Sequence, residues 1–284
     1  MTNRREIRAC YTVFMNYSQE LLQIIAIARE AGRIVMQCRA DGIEISTKSG
    51  EYDFVTTADL AADKYILGEI HRLFPDDDIL SEESGLDGTY DGRIWMIDPL
   101  DGTKNFAHGG NMFSVMIGLC VDGTPVLGVV YSPTDDMLYY ATKGGRAYVE
   151  KNNTKTKLKV STISQLSDAR LVVRVQLDTQ DIRPSDQWVQ AIPVKKHVPM
   201  SSGGLKLGLI ASNQADLCVA FNPMIGKWDT CAPQIILEEA GGIYTDGNGD
   251  LLNYRKEGGT WGTTLVASNG RFHDEIITYL RNHA

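Results

Sequence analysis

Trp95-Met96-Ile97-Asp98-Pro99-Leu100-Asp101-Gly102-Thr103-Lys104-Asn105-Phe106 is the stretch whose reading decides the fold. The apolar run from Ile94 to Ile97 reads as a buried strand. It ends on two carboxylates three residues apart, Asp98 and Asp101. Asp-Pro is a turn signal, because Pro99 restricts the residue before it. Gly102 lets a backbone approach a ligand closely, and Thr103 adds a hydroxyl. Two acids at a strand end, followed by backbone N–H groups, suit hard cations that hold a phosphate. The same letters also spell an ordinary Asp-Pro turn with an Asp-Gly behind it. On this stretch alone both readings stand.

Upstream, Ile79-Leu80-Ser81-Glu82-Glu83-Ser84 is a short apolar piece ending in two adjacent acids. Adjacent acids commonly mark a solvated loop. Here they precede the Asp98 strand by a short loop, so both strand ends can meet at one edge and bring their carboxylates together. Like charges that close raise one another's pKa and oppose folding unless a cation sits between them. Asp53-Phe54-Val55-Thr56-Thr57-Ala58-Asp59 reads as a short β-like run and then a helix start. Thr57 is the expected cap of a helix that runs to Phe74 and stops before Pro75. Asp59 falls in its first turn, where a carboxylate is favoured whatever else it does. Leu21, Ile24, Ile25, Ala28, Ala31 and Val35 recur at helical spacing, so Glu20 to Cys38 reads as an amphipathic helix docked on a core. Residues 1 to 17 are expected to fray, and Lys48 to Tyr52 to form a polar loop.

Downstream, Phe113 to Val121, Pro125 to Tyr131, Met137 to Thr142 and Arg146 to Glu150 are β-rich runs separated by turn signals such as Asp122-Gly123 and Gly144-Gly145. They read as an antiparallel meander. Asn152 to Lys159 is a polar, Lys-rich connector and the expected internal boundary. It divides the chain into an α+β half, residues 1–150, and an α/β half, residues 151–284. In the second half Ala169 to Leu177 and Asp216 to Phe221 read as strands, and 178 to 200 as an irregular polar loop. Ser201-Ser202-Gly203-Gly204-Leu205-Lys206 leads into a helix through Ala211. A second helix runs from Trp228 to Ala240, with Pro233 tolerated in its first turn and Gly241-Gly242 ending it. Asp229 stands at its N-terminus, where a plain N-cap is the alternative to a functional role. Ile243 to Thr245 and Thr264 to Ser268 read as strands, and a helix to Arg281 closes the core.

The chain has 284 residues, enough for one large α/β domain or two smaller ones sharing a core. Its net charge of −8 argues against a nucleic-acid backbone as the main partner. It leaves a phosphorylated small molecule open, because metals can carry the local positive charge. Five cysteines without a CxxC pair fit reduced thiols rather than a disulfide framework or a zinc site. No apolar run reaches the length of about 18 residues that a membrane span needs. Met1 to Tyr17 lacks the apolar core and cleavage site of a signal peptide, so a cytoplasmic location is expected. His71, His108, His197, His273 and His283 show no metal-ligand spacing, and the absence of GxxxxGK[ST] counts against a P-loop kinase.

Four of these motifs, in this order, resemble the inositol monophosphatase superfamily: Asp53 to Asp59, Ser81 to Ser84, Asp98 to Phe106, and Trp228-Asp229 with Glu239-Ala240-Gly241-Gly242. The resemblance covers about residues 18 to 280. It implies an α/β sugar-phosphatase fold, an αβαβα sandwich with an antiparallel N-terminal sheet and a mixed C-terminal sheet. It implies Mg2+-dependent hydrolysis of a phosphate monoester on a small molecule by metal-activated water, lithium sensitivity and a homodimer. Glu82, Asp98, Asp101, Asp229 and the backbone carbonyl of Leu100 match the metal ligands. Most of these lie in the first half, while the second contributes Asp229 and the substrate contacts. Asp59 and Thr103 match the pair that orients the attacking water, and the N–H groups of Gly102 and Thr103 match the phosphate contacts. Two or three Mg2+ ions per site are expected, with Mn2+ able to substitute. The chemistry agrees independently. Monoester hydrolysis demands a barrier reduction of up to about 20 kcal/mol or more, which metal ions supply by activating water and neutralising charge. All-oxygen ligation selects Mg2+ or Mn2+ over Zn2+.

The substrate is less sharply marked. Inositol monophosphatases typically place an acid six or seven positions before the Trp-Asp pair, to touch the inositol hydroxyls. Here that region is Val219-Ala220-Phe221-Asn222-Pro223, without an acid. Ser201 to Lys206 and Lys227 to Pro233 are more similar to the 3'(2'),5'-bisphosphate nucleotidase branch. A second phosphate needs a cation that the metals cannot reach, and Lys206 and Lys227 are the candidates. The alternative is that both are surface lysines. Ser202 joins them as a substrate contact, and Asp229 serves substrate as well as metal. A bisphosphate nucleotidase is therefore the first expectation. An inositol, other sugar-alcohol or histidinol phosphate phosphatase is the second, and a non-catalytic binding protein on the same fold the third.

Overall fold

The computed structural model describes residues 17–47, 54–175, 184–221 and 224–283. The expectations for residues 1–16, Lys48 to Tyr52, Asn222 and 176–183 lie outside these residues. The first half runs α1 (Ser18–Asp41), β1 (Ile45–Thr47), β2 (Phe54–Thr56), α2 (Thr57–Leu73), β3 (Asp78–Ser81), β4 (Gly85–Asp87), β5 (Arg93–Asp101) and α3 (Thr103–Ala107). The meander follows as β6 (Ser114–Val121), β7 (Thr124–Ser132), β8 (Met137–Thr142), β9 (Arg146–Lys151) and β10 (Thr154–Lys157). Then come β11 (Arg170–Val173), α4 (Pro184–Ala191), β12 (Lys196–Pro199), α5 (Gly203–Ala211), β13 (Leu217–Ala220), α6 (Cys231–Glu239), β14 (Ile243–Asp246), β15 (Leu265–Ser268) and α7 (His273–His283).

The strands form an eight-stranded sheet in the order β10-β9-β8-β7-β6-β5-β3-β4, a five-stranded sheet in the order β12-β11-β13-β15-β14, and the small β1–β2 pair. In the large sheet every pairing is antiparallel except that of β3 with β5. The five-stranded sheet is mixed: β12, β11 and β13 are parallel, while β15 runs against β13 and β14.

Alternation along the strands sorts the cores into layers. Trp95 and Ile97 of β5, Ile117 of β6 and Val129 of β7 face α1 and α2. Ile94, Met96, Met116 and Val130 face the other way, onto α5 and α6, which also meet Cys218 and Ala267 of the second sheet. Leu217, Val219 and Val266 turn outward to the α7 residues Ile276, Ile277 and Leu280. The order is helices, sheet, helices, sheet, helices. Each fully buried aliphatic side chain contributes about 1.5–3 kcal/mol of transfer free energy.

Local chemistry moves several expected boundaries. Thr56, not Thr57, caps α2: its extended backbone and hydroxyl satisfy the Ala58 N–H, and Asp59 answers at the third helical position. The Lys-rich connector is partly strand, because β10 pairs with β9 as a hairpin. The 178–200 stretch is not one irregular loop, since it contains α4 and the edge strand β12. The helix after Trp228 starts at Cys231, with Thr230 rather than Asp229 in the cap position. Glu239, at the end of α6, accepts from the Gly144 and Arg146 N–H groups (2.7 and 2.8 Å) and so binds α6 to the β8–β9 turn. Among the described residues no helix is long and apolar enough to cross a membrane.

Candidate active site

β5 pairs with β6 so that Asp98 lies opposite Met116 and Asp101 opposite Ser114, three steps against two. One extra residue on β5 is a β-bulge, and Pro99 is tolerated there because a bulge frees it from the ladder. In a plain strand, residues three apart face opposite sides. The bulge turns both carboxylates toward one space. Asp229, from the segment before α6, reaches the same space, and one oxygen of each of the three acids lies within 4.8 Å of the others.

Each acid is held from behind. The Leu100 N–H donates to Asp98 Oδ1 at 3.0 Å. The Gly226 N–H donates to Asp229 Oδ2 at 2.6 Å. Asp101 accepts from the Ser202 hydroxyl, from Ser114 Oγ (3.1 Å) and from the Gly203 and Gly204 N–H groups (each 2.9 Å). It therefore caps the N-terminus of α5, where a negative charge is favoured. Parallel pairing of β3 with β5 brings Glu82 to the same edge, its N–H bonded to the Ile97 carbonyl at 3.1 Å.

Asp98 is only 1% exposed. Burial, then the charges of Glu82, Asp101 and Asp229, push its carboxyl well above the usual range. Burial, Glu82 and Asp101 do the same to Asp229. A hard cation between these groups relieves that cost, and a donor set made only of oxygens fits Mg2+ or Mn2+.

A second group adjoins the acids. Asp59 Oδ2 accepts from the Thr56 N–H (2.8 Å) and hydroxyl (2.5 Å), which leaves Oδ1 facing Thr103 Oγ1 at 3.1 Å. The Thr103 hydroxyl is shared with the Leu100 carbonyl at 2.9 Å. Burial raises the Asp59 pKa, against the pull of the bonds from Thr56 and Thr103. Gly102 makes the turn from β5 into α3 at φ +94, and a Cβ there would lie 2.8 Å from the Met112 carbonyl oxygen.

The structure thus brings together Asp59, Glu82, Asp98, Leu100, Asp101, Gly102, Thr103 and Asp229. Two expectations need correction. The Ser202 hydroxyl is fully buried, donates to Asp101, lies 3.0 Å from Ser114 Oγ and accepts from the Leu205 N–H, so it is a partner of Asp101 and not an open donor. Lys227 is 1% exposed, which ends the surface reading. Its ammonium donates to the carbonyls of Tyr254 (3.0 Å) and Lys256 and lies 4.1 Å from the centre of the Tyr90 ring, so it is withdrawn as a second-phosphate contact. Burial pulls its pKa down to about 8. Lys206 is half-buried on α5, one turn beyond Ser202.

Ser114 and Asp63 escape the sequence reading, and Asn105 of the decisive stretch gains a structural role. Ser114 starts β6 opposite Asp101, and no local pattern marks it. Asn105 anchors the loop after α3 by accepting from the Met112 N–H at 2.9 Å. Asp63 receives the Ser81 and Ser84 hydroxyls. Its one available signal was its place four residues after Asp59, on the same helix face.

Clustered carboxylates at the sheet edge, with an acid–hydroxyl pair beside them, make a candidate metal-binding hydrolytic centre on a five-layered α/β scaffold. The inositol monophosphatase family model matches residues 17–284, and the chain belongs to that family of phosphoric monoester hydrolases. It is 31% identical to the inositol-1-monophosphatase of Bacillus subtilis over 255 residues, 88% of this chain and 91% of that one. It is 36% identical to the 3'(2'),5'-bisphosphate nucleotidase CysQ of Salmonella typhimurium over 241 residues, 82% of this chain and 93% of that one. The solved Thermotoga maritima IMPase superposes with a TM-score of 0.79 at 28% identity, covering 93% of this chain and 97% of that one. An enzyme is therefore the correct class, and the non-catalytic alternative falls.

Proposed function

We propose that this enzyme is a Mg2+-dependent phosphatase that removes the 3'-phosphate of a nucleoside 3',5'-bisphosphate. The observation that carries the metal-dependent part is the meeting of Asp98, Asp101 and Asp229 oxygens within 4.8 Å. Glu82, Asp98, Asp101, Asp229 and the Leu100 carbonyl would hold the ions. When bound, Mg2+ supplies neutralisation of phosphate charge, a more acidic water and stabilisation of the leaving oxygen.

The chain's own residues manage the proton. Asp59 and the Leu100 carbonyl both lie within reach of the Thr103 hydroxyl proton. The Thr103 oxygen is thereby left as an acceptor that orients an attacking water, and Asp59 is the base that finally takes the proton. The Gly102 and Thr103 N–H groups, at the turn into α3, are the phosphate donors in this reading.

For the substrate, the support is the missing acid in the described part of the 219–223 segment, Lys206 on α5, and the 36% identity to a bisphosphate nucleotidase. The Bacillus subtilis relative favours an inositol or similar sugar-alcohol monophosphate as the second reading. Phosphate release from 3'-phosphoadenosine 5'-phosphate and from inositol 1-phosphate, measured side by side with Mg2+, decides between them. A large kcat/KM preference for the nucleotide supports the first reading. A preference for inositol phosphate overturns it and leaves the metal chemistry standing.

A further inference from the structure

The helix α2 carries two buried acids one turn apart, Asp59 and Asp63. Asp59 has a place in the first turn, where the helix dipole favours it. Asp63, only 4% exposed, lies beyond that turn, so the dipole does not account for it. Asp is also a poor helix former, and a buried carboxylate needs hydrogen-bond donors.

Asp63 finds its donors across the fold. Its Oδ1 accepts from the Ser81 hydroxyl, and its Oδ2 accepts from the Ser84 hydroxyl at 2.5 Å. The Ser81 oxygen also accepts from the Glu83 N–H at 3.2 Å. Glu82 therefore stands inside a turn whose two ends are tied to one carboxylate. On its other side its own N–H is bonded to the Ile97 carbonyl, next to Asp98.

From this geometry we propose that Asp63 is a positioning residue for the metal centre. By gripping both serines of Ser81-Glu82-Glu83-Ser84, it fixes how Glu82 faces Asp98 and Asp229. The inference rests on the reading of Glu82 as a metal ligand. Asp63 touches neither metal nor substrate. Its action on the ligand set is that of an outer-shell partner, whose loss characteristically costs about 10–100-fold in metal affinity.

The test is a double-mutant cycle read by calorimetric titration of the full chain with Mg2+ alone, without substrate. The proteins are wild type, Asp63→Ala, Glu82→Gln and the double variant. Asp63→Ala is expected to weaken Mg2+ binding about tenfold or more. In the Glu82→Gln background the same change is expected to cost nothing further. Asp63→Asn should recover part of the affinity, since an amide can accept from one hydroxyl and donate to the other. In turnover assays the Mg2+ requirement should rise more than kcat at saturating Mg2+ falls.

Unchanged Mg2+ binding in Asp63→Ala, with Glu82→Gln weakened, overturns the positioning role alone. Losses that multiply in the double variant overturn it too, because they show that Asp63 acts independently of Glu82. Unchanged binding in Glu82→Gln overturns the ligand reading beneath it. If Asp63→Ala fails to fold, Ser84→Ala, at an exposed position, carries the same expectation and the same refutation.

Discussion

Asp98 and Asp101 stand three residues apart on one strand, yet both face Asp229, because β5 carries one residue more than β6 between them. Without a cation the cluster is a liability. A metal that binds only the folded state therefore stabilises it, by about 2.7 kcal/mol at a hundred times its Kd. Mg2+ is expected to raise the melting temperature of the wild-type protein. In Asp98→Asn the Mg2+-induced rise should shrink or vanish, and turnover should fall by at least about a thousandfold. With chelator present, this variant should melt no lower than wild type, because it removes one of the mutually repelling charges. Calorimetric melts with Mg2+ and with chelator, together with a phosphate-release assay, check both halves.

Gly102→Ala should disable the centre without removing a charged group. The residue sits at φ +94, where a side chain costs about 1–2 kcal/mol, and its Cβ would meet the Met112 carbonyl oxygen at 2.8 Å. Relief requires the β5–α3 turn to move, and with it Thr103 and the Leu100 carbonyl. Activity at saturating Mg2+ should drop by more than about tenfold for a stability loss of roughly 1–3 kcal/mol. Near-normal kcat in a folded Gly102→Ala enzyme would show that the turn does not set the site.

Ser202→Ala separates support of a ligand from contact with substrate. The variant removes one of four donors to Asp101 and leaves Ser114 Oγ and two backbone N–H groups in place. The stability loss should be about 1–2 kcal/mol. The concentration of Mg2+ needed for half-maximal activity should rise several-fold, while KM for substrate at saturating Mg2+ stays the same. A raised KM with an unchanged Mg2+ requirement would return Ser202 to the substrate.

What the sequence made legible followed from local rules. Asp98, Asp101 and Gly102 announced a strand end with two carboxylates and a tight turn behind them, and the apolar periods of α1 and the β6–β9 meander needed only short-range pattern. The contacts that finish the site are long-range. Ser114 meets Asp101 across a strand pair, and Asp63 meets Ser84 across 21 positions of sequence. Lys227 illustrates the limit. Its letters suggest a free cation, but the loop around Tyr254 and Lys256 folds over it and supplies carbonyls that no local pattern marks. Thr56 and Thr57 are equally good caps by type. The choice fell on Thr56 because only it stands three residues before Asp59, completing the reciprocal capping box.

His273 should impose an acid limit on stability away from the active site. It begins α7, with one ring nitrogen 2.9 Å from Thr245 Oγ1 and the other 2.8 Å from Ser268 Oγ. Burial, opposed by the charge of Asp274, lowers its pKa below 6.5. Below pH 6.5 the unfolded chain binds a proton at this position that the folded protein refuses, so the unfolded state gains. The contribution of neutral His273 is full above 6.5 and declines as pH falls from 6.5 toward the lower folded value. Urea melts between pH 7.5 and 5 should show this slope. In His273→Gln the slope should be shallower, even if absolute stability is lower throughout. An identical slope would assign the acid sensitivity to other groups.

Lys206 and Lys227 began as equivalent candidates, and their surroundings now make opposite predictions. Lys206 lies on the helix whose N-terminus Asp101 caps, and it keeps part of its surface open to solvent. Lys206→Met should raise KM for 3'-phosphoadenosine 5'-phosphate about tenfold or more and leave inositol 1-phosphate hydrolysis nearly unchanged, because only the first substrate carries a second phosphate. Lys227 bonds two carbonyls of the loop that covers it, and its backbone N–H meets the Gly259 carbonyl at 2.8 Å, two residues from Asp229. Lys227→Met leaves those carbonyls unpaired, which should cost about 1–3 kcal/mol of stability. It should depress turnover of both substrates by the same factor, through Asp229, with no selective change in KM. Measuring both variants on both substrates yields four ratios. A selective loss on the nucleotide with Lys227→Met, and none with Lys206→Met, would reverse the assignment and require the Tyr254–Lys256 loop to release the ammonium when substrate binds.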